Sequence, residues 1–218
     1  MERIFAVGDV HGCRALLEKL LGRLDLRPET DTVVFIGDYI DRGPDSRGVI
    51  DTVLELRRRI PRVICLLGNH ERMFLDYLED PATAMMFLGN GGVATLRSYG
   101  LWRGERPAID DLPEEHRLFF ESLSLWHETE HHLFVHAGLR PGVPLAEQDP
   151  WDLVWIRREF IHSSASFGKI VVFGHTPFPE PFVDGTKIGI DTGAVYGGPL
   201  TCVELPVMRF HTAQGGTG

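Results

Sequence analysis

A layered α/β fold is what this 218-residue sequence predicts, and two observations carry the prediction. Short apolar, β-prone runs alternate with amphipathic helical stretches, the rhythm of strands covered by helices. Five of those runs, IFAV, TVVFI, RVICLL, HLFV and KIVVF, end in a polar block beside glycine. The blocks are Gly8-Asp9-Val10-His11-Gly12, Gly37-Asp38-Tyr39-Ile40-Asp41-Arg42-Gly43, Gly68-Asn69-His70-Glu71, His136-Ala137-Gly138 and Gly174-His175-Thr176-Pro177. Carboxylates, amides and imidazoles thus recur at successive strand tips, where an open α/β sheet builds a shared site.

Strand 1 is expected over Arg3–Gly8 and a helix over about 14–24, with Leu16, Leu17, Leu20, Leu21 and Leu24 at helical spacing. Strand 2 is Thr32–Gly37; a helix over about 46–59 follows and is stopped by Pro61. Strand 3 is Arg62–Leu67, with a short helix over 71–78 behind it. From about 80 to 126 the strand rhythm gives way to Met85-Met86-Phe87, Gly89-Asn90-Gly91-Gly92 and a helix over 113–123. This reads as a mostly helical insertion covering one side of the site. Strands return at 133–135, 170–173, 187–190 and 201–205, interrupted by a helix over 151–160. One domain over 1–211 is expected, with a flexible Gly- and Thr-rich tail at 212–218.

Composition narrows the function classes. A formal charge of −9 opposes nucleic-acid binding, which needs a basic face. No apolar run approaches the ~20 residues of a membrane span, and the chain enters its first strand almost at once, so a cytoplasmic, non-membrane protein is expected. Cys13, Cys65 and Cys202 are too scattered for a disulfide framework or zinc ribbon. Cys65 and Cys202 read as core thiols, and Cys13 could line the site. The Arg57-Arg58-Arg59 run ends a helix, where cations complement the dipole. No heptad or apolar stripe points to an oligomeric state.

The blocks themselves suggest metal chemistry. Asp9 and His11 are two apart in a Gly-bounded turn and can converge on one cation. Asp38 can bridge two cations through its two oxygens. Asn69, His136 and His175 would complete the second cation's ligands. Mixed oxygen and imidazole ligation suits Mn²⁺, Fe or Zn²⁺ over a thiolate-loving metal. Two divalent ions about 3.5–4 Å apart acidify a bridging water and clamp the oxygens of an in-line displacement at phosphorus. Asn69 and His70 are adjacent, so one can face a metal while the other faces the leaving group.

Taken in order, GDVHG, GDYIDRG, GNHE, HAG and GHTP resemble the motifs of the PPP-type metallophosphoesterases, especially the small phage-lambda-type and bacterial serine/threonine protein phosphatases. The resemblance covers essentially the whole chain, and Ile190-Asp191-Thr192-Gly193-Ala194-Val195-Tyr196-Gly197-Gly198 is similar to that subgroup's closing strand-turn. It implies the calcineurin-like sandwich: two mixed β-sheets flanked by helices. It also implies metal one on Asp9, His11 and Asp38, and metal two on Asp38, Asn69, His136 and His175. Arg42 and Arg157 would bind phosphate oxygens. His70 would protonate the leaving group, oriented by Asp41, and attack would be direct, by a metal-bound hydroxide without a phosphoenzyme. Two guanidiniums suit a transferring phosphoryl group, and a His beside a carboxylate is a competent general acid near neutral pH. Arg158, next to Arg157, is expected to face solvent.

The first functional reading is therefore a phosphomonoesterase with Mn²⁺ as the leading metal, acting on protein phosphoserine or phosphothreonine, with phosphotyrosine or a phosphorylated small molecule also open. The alternative is dinucleoside tetraphosphate hydrolysis, since the diadenosine tetraphosphate hydrolases share most of these motifs. Symmetrically cleaving members of that group carry Trp after the last ligand His, whereas this chain has Thr176. A non-catalytic scaffold is disfavoured because every ligand position is kept, together with His70, Asp41 and both arginines. The other histidines, His116, His127, His131, His132, His162 and His211, are expected to be surface or interface residues. Met85-Met86-Phe87 is expected in the core of the insertion. Trp151 and Trp155 are expected to pack on one helix face, and Glu71 to support its turn or to start the following helix.

Overall fold

The structure, a computed structural model, describes residues 3–215. Two five-stranded mixed sheets form its centre. In the first, β1 (Ile4–Val7), β2 (Thr32–Phe35) and β3 (Val63–Cys65) run parallel, and β9 (Leu200–Leu205) and β10 (Arg209–Ala213) add antiparallel on the β1 side. In the second, β5 (His132–Val135), β6 (Ile170–Phe173) and β8 (Lys187–Gly189) are parallel. Here β4 (Trp126–Glu128) and β7 (Phe182–Val183) close the two edges antiparallel.

The alternation of side chains along each strand sorts the cores. Ile4 and Ala6 of β1, Val34 of β2 and Val203 of β9 meet Phe134, Val172 and Ile188 of the second sheet in a shared inner layer. Phe5, Val7, Val33 and Phe35 point the other way, into α1 (Arg14–Leu21), α2 (Ser46–Arg59) and α3 (Asn69–Glu79). On the far side Leu133, Val135, Val171 and Phe173 pack with Leu153 and Phe160 of α7 (Pro150–Trp155) and α8 (Arg158–Ile161). Strands apolar on both faces are what a sheet covered on both sides requires.

Several elements differ from the sequence reading. Thr212 and Ala213, expected in a flexible tail, instead belong to β10 and pair with Thr201 and Leu200 of β9; positions 216–218 lie outside the described residues. The helix expected over 151–160 is broken at Ile156–Arg157, where Arg157 adopts φ −132°, ψ −95°. The segment 80–126 holds α4 (Ala84–Phe87), α5 (Val93–Ser98) and α6 (Glu114–Glu121). Its end is not helical: Ser124 forms an isolated bridge to Leu66, the residue after β3, and Trp126 begins β4. Of Met85-Met86-Phe87 only Phe87 is buried, stacked on Tyr77; Met85 is 88% exposed.

Two of the histidines expected at the surface or an interface are buried within the chain. His116 bonds the Tyr99 hydroxyl through Nδ1 (2.7 Å) and Asp51 through Nε2 (2.9 Å), tying α6 to α2, and His132 lies inside β5. In the arginine run that ends α2, Arg57 lies over the Phe119 ring and the exposed Arg58 pairs with Glu115. Cys65 and Cys202 are buried; Cys13 caps α1 in a groove with Gly12, Pro44 and Ala194, apart from the cleft lined by Asp38, Asn69 and His70.

Candidate active site

All five blocks meet at the carboxyl ends of β1, β2, β3, β5 and β6. The turns are tight enough to force side chains into the left-handed region. Among the described residues six non-glycines have positive φ, and five belong to the site: His11 (45°), Asp38 (52°), Asp41 (71°), Arg42 (66°) and His175 (63°). Each such conformation costs of order 1–3 kcal/mol and persists where surrounding bonds over-determine it.

Glu71 supplies much of that determination. Buried in the first turn of α3, it accepts from the N–H groups of Tyr39 (2.8 Å) and Ile40 (3.2 Å) on Oε1. Its Oε2 accepts from Asp38 (2.8 Å) and Gly68 (3.0 Å). One carboxylate thus gathers four orphan donors and fixes the backbone that presents Asp38. Close approach explains two of the glycines: a Cβ on Gly68 would sit 2.2 Å from Asp38 Oδ1, and one on Gly174 2.1 Å from Asp9 Oδ1.

The ligand-type atoms crowd together with their lone pairs inward. His11 Nδ1 lies 2.9 Å from the Ile40 carbonyl and His136 Nδ1 3.0 Å from the Ile36 carbonyl. A carbonyl only accepts, so both Nδ1 atoms carry the proton and both Nε2 atoms present lone pairs. Those Nε2 atoms each stand 3.4 Å from a different oxygen of Asp38. His136 Nε2 and His175 Nδ1 converge on Asn69 Oδ1 at 3.0 and 2.9 Å. Asp9 Oδ2 accepts from the His175 N–H at 3.0 Å, while Asp9 Oδ1 and His175 Nε2 are buried with no hydrogen-bond partner. Acceptors packed against acceptors, with two orphaned atoms among them, are a donor set that fits divalent cations. Two overlapping groups of ligand atoms share Asp38: His11, Asp38 and His70 on one side, and Asp38, His136 and His175 on the other.

Electrostatics follow from burial. Desolvation opposes charge on Asp38, but His136, His70, His11 and His175 around it prevail and hold its carboxyl far below the usual range. Desolvation pushes His11 down to about 3 against the pull of Asp38, keeping the imidazole neutral as ligation requires.

His70 and Asp41 form a buried pair beside these atoms. His70 Nδ1 lies 2.6 Å from Asp41 Oδ2, with both side chains almost wholly buried. The His70 N–H donates to Asp38 Oδ1 at 3.1 Å, and its Nε2 has no partner. Burial pushes Asp41 well up and His70 down to about 4, so neither partner readily carries charge alone. At 2.6 Å His70 Nδ1 and Asp41 Oδ2 share one hydrogen bond, so the protonation of each depends on the other.

A cleft of about 110 Å³ opens over this cluster, lined by Asp38, Asn69, His70 and His175 together with Arg42 and Arg157. Arg42 donates to His11 Nε2 at 2.5 Å and lies over the Tyr196 ring. Arg157 reaches the cleft from the break between α7 and α8; Arg158, the first residue of α8, does not line it. Asp191, Tyr196 and Pro177 complete the lining. Sequence reasoning did not single out Asp191 or Tyr196 as site residues, although both lie in the tail segment that carried part of the resemblance. Burial pushes the Asp191 carboxyl up to about 6 despite the Gly193 N–H bonded to it. Trp155 meets His175 edge to face at 5.8 Å, and Trp151 stacks on Trp155 at 5.3 Å.

Comparison with known proteins agrees with this geometry. The family model for calcineurin-like phosphoesterases matches residues 2–207. Serine/threonine-protein phosphatase 1 of Salmonella typhimurium is 32% identical over 207 residues, 93% of this chain and 91% of that protein. The asymmetrical bis(5'-nucleosyl)-tetraphosphatase PrpE of Bacillus thuringiensis is 29% identical over 230 residues, with 93% and 90% covered. A crystal structure provisionally assigned as a diadenosine tetraphosphatase superposes with a TM-score of 0.74 at 25% identity, covering 100% of this chain and 95% of its own. The chain belongs to the calcineurin-like phosphoesterases and is a metallophosphoesterase.

Proposed function

We propose that this enzyme removes phosphate from phosphoserine and phosphothreonine in proteins, using two divalent ions, Mn²⁺ first among them. The observation that carries the phosphoester chemistry is the unpartnered His70 Nε2 opening into a cleft that also receives Arg42 and Arg157. Asp9, His11 and Asp38 would hold one ion, and Asp38, Asn69, His136 and His175 the other. The ions, when bound, acidify a water and neutralise charge on the phosphoryl oxygens. Arg42 and Arg157 bind and orient the remaining oxygens, their charge meeting what develops there in the transition state. His70 Nε2 delivers a proton to the leaving oxygen, and Asp41 sets the ring orientation. The cleft has the size of a phosphoryl group rather than a whole substrate, which suits an ester presented at a protein surface.

One observation favours the second reading, hydrolysis of dinucleoside polyphosphates. Tyr196 at the cleft rim and Trp151 on the outside of the tryptophan stack are exposed, and open aromatic faces suit nucleobases. Three free cysteines suit the reducing cytoplasm in either case. Turnover of a phosphoserine peptide and of diadenosine tetraphosphate by one metal-stripped, Mn²⁺-reloaded preparation decides between them. A kcat/KM larger by orders of magnitude for the peptide is the expected result. The reverse order moves the assignment to nucleotides, and no turnover of either overturns both substrate classes.

A further inference from the structure

The insertion reaches into the catalytic turn with one buried hydroxyl. Thr95, in α5, is fully buried, and its Oγ1 donates to Asp41 Oδ1 at 2.6 Å and accepts from the Asp41 N–H at 2.9 Å. Ser46 Oγ, at the start of α2, stands 2.9 Å from Thr95 Oγ1 and also accepts from the Asp41 N–H, at 3.1 Å. Thr95 has a single proton and commits it to the carboxyl oxygen, so Ser46 must donate to Thr95. The chain Ser46 to Thr95 to Asp41 therefore runs in one direction. Four residues earlier, the Gly91 carbonyl accepts from the Arg42 N–H at 3.2 Å. Two adjacent left-handed residues of the turn are thus bolted to the insertion.

The consequence lies at His70. With Oδ1 held by Thr95, and its own N–H held by Thr95 and Ser46, the Asp41 carboxyl plane has one orientation. Oδ2 faces His70 Nδ1, and the ring then directs Nε2 into the cleft. We propose that Thr95 is a positioning residue for leaving-group protonation, acting through Asp41 on the orientation of His70. The inference rests on the reading of His70 as the proton donor of a phosphoesterase. A purely structural Thr95 would instead only fasten α5 to α2.

Leaving-group dependence separates the two. The full-length, Mn²⁺-loaded enzyme is assayed on a phosphoserine peptide, whose alkoxide needs a proton, and on p-nitrophenyl phosphate, whose leaving group does not. Thr95→Val is expected to lower kcat on the peptide by about 10–10²-fold, since small misplacements of a catalytic group cost that much. On p-nitrophenyl phosphate it should lose less than about threefold, with KM on both substrates little changed, and Thr95→Ser should restore the peptide rate. Equal losses on both esters, or no loss, overturn the proposal. Should Thr95→Val fail to fold, Thr95→Ala removes the same hydroxyl and is read the same way: selective loss on the peptide supports the proposal, and uniform loss or none overturns it. His70→Asn is the reference. If it shows no leaving-group selectivity, the reading beneath the proposal fails and takes it along; a selective His70→Asn beside an unselective Thr95→Val overturns Thr95's part alone.

Discussion

The two sheets build their halves of the site by unlike means. The first sheet presents Asp9, His11, Asp38, Asp41 and Arg42 on strained turns that Glu71, Ser46 and Thr95 hold from behind. The second sheet presents His136 and His175 just past β5 and β6, and the bonds that orient them come from the other side. His136 Nδ1 donates to the Ile36 carbonyl, which follows β2, and the His175 N–H donates to Asp9, which follows β1. The first half is thus braced internally, whereas the second is set by its contact with the first. The difference teaches that the cluster of ligand-type side chains is a seam whose geometry depends on how the sheets dock.

Asp38 stands on that seam, with one oxygen toward His11 and the other toward His136. Asp38→Asn should therefore disturb both halves at once and lower activity by more than the ~10²-fold that loss of an outer partner of a metal ligand can cost. Metal analysis of the purified variant checks it: retention of two ions per chain would break the account of Asp38 as the shared group. Arg157→Ala should cost about 10²-fold in kcat, the scale of one lost transition-state donor, whereas Arg158→Ala stays within about twofold. Steady-state kinetics on the phosphoserine peptide distinguishes them, and a larger loss at Arg158 would reverse the assignment.

The smallest effect is expected away from the seam. Burial raises Asp31, but Arg3 at 2.6 Å, the Arg27 N–H and Thr30 outweigh it and hold the carboxyl below its usual value. A carboxyl depressed in the folded state contributes stability that is present above the unfolded value near 3.9 and lost as pH falls through the folded one. Asp31→Asn should thus cost about 2 kcal/mol at pH 7 and progressively less below about pH 4, with kcat unchanged. Denaturant unfolding at both pH values measures it; a fall in kcat as large as that of Arg157→Ala would show that the first sheet's far end also tunes the site.

What was legible in the sequence was local. The Asp, His and Asn blocks betray themselves because a Gly-bounded turn after an apolar strand is a short-range pattern, and α2 matches its expected bounds of 46–59. Arg157 was legible only through resemblance: its usefulness comes from a helix break that the apolar spacing of 151–160 conceals. Thr95 carried no signal, being one hydroxyl in the run Val93-Ala94-Thr95-Leu96 whose partners lie 49 and 54 positions away. His116 and His132 looked like surface residues because nothing local shows that Tyr99 and Asp51 would pair with one, or that β5 would bury the other.

The sequence by itself determined the fold class, the order of the five polar blocks and the chemistry of their side chains, since turn sterics and strand patterning act over a few residues. Only the tertiary structure decided which arginine enters the cleft, which hydroxyls hold Asp41, and how two imidazoles come to face one carboxylate. Those outcomes depend on the docking of two sheets and an insertion, where angles and distances between remote segments are set by packing rather than by neighbours in the chain.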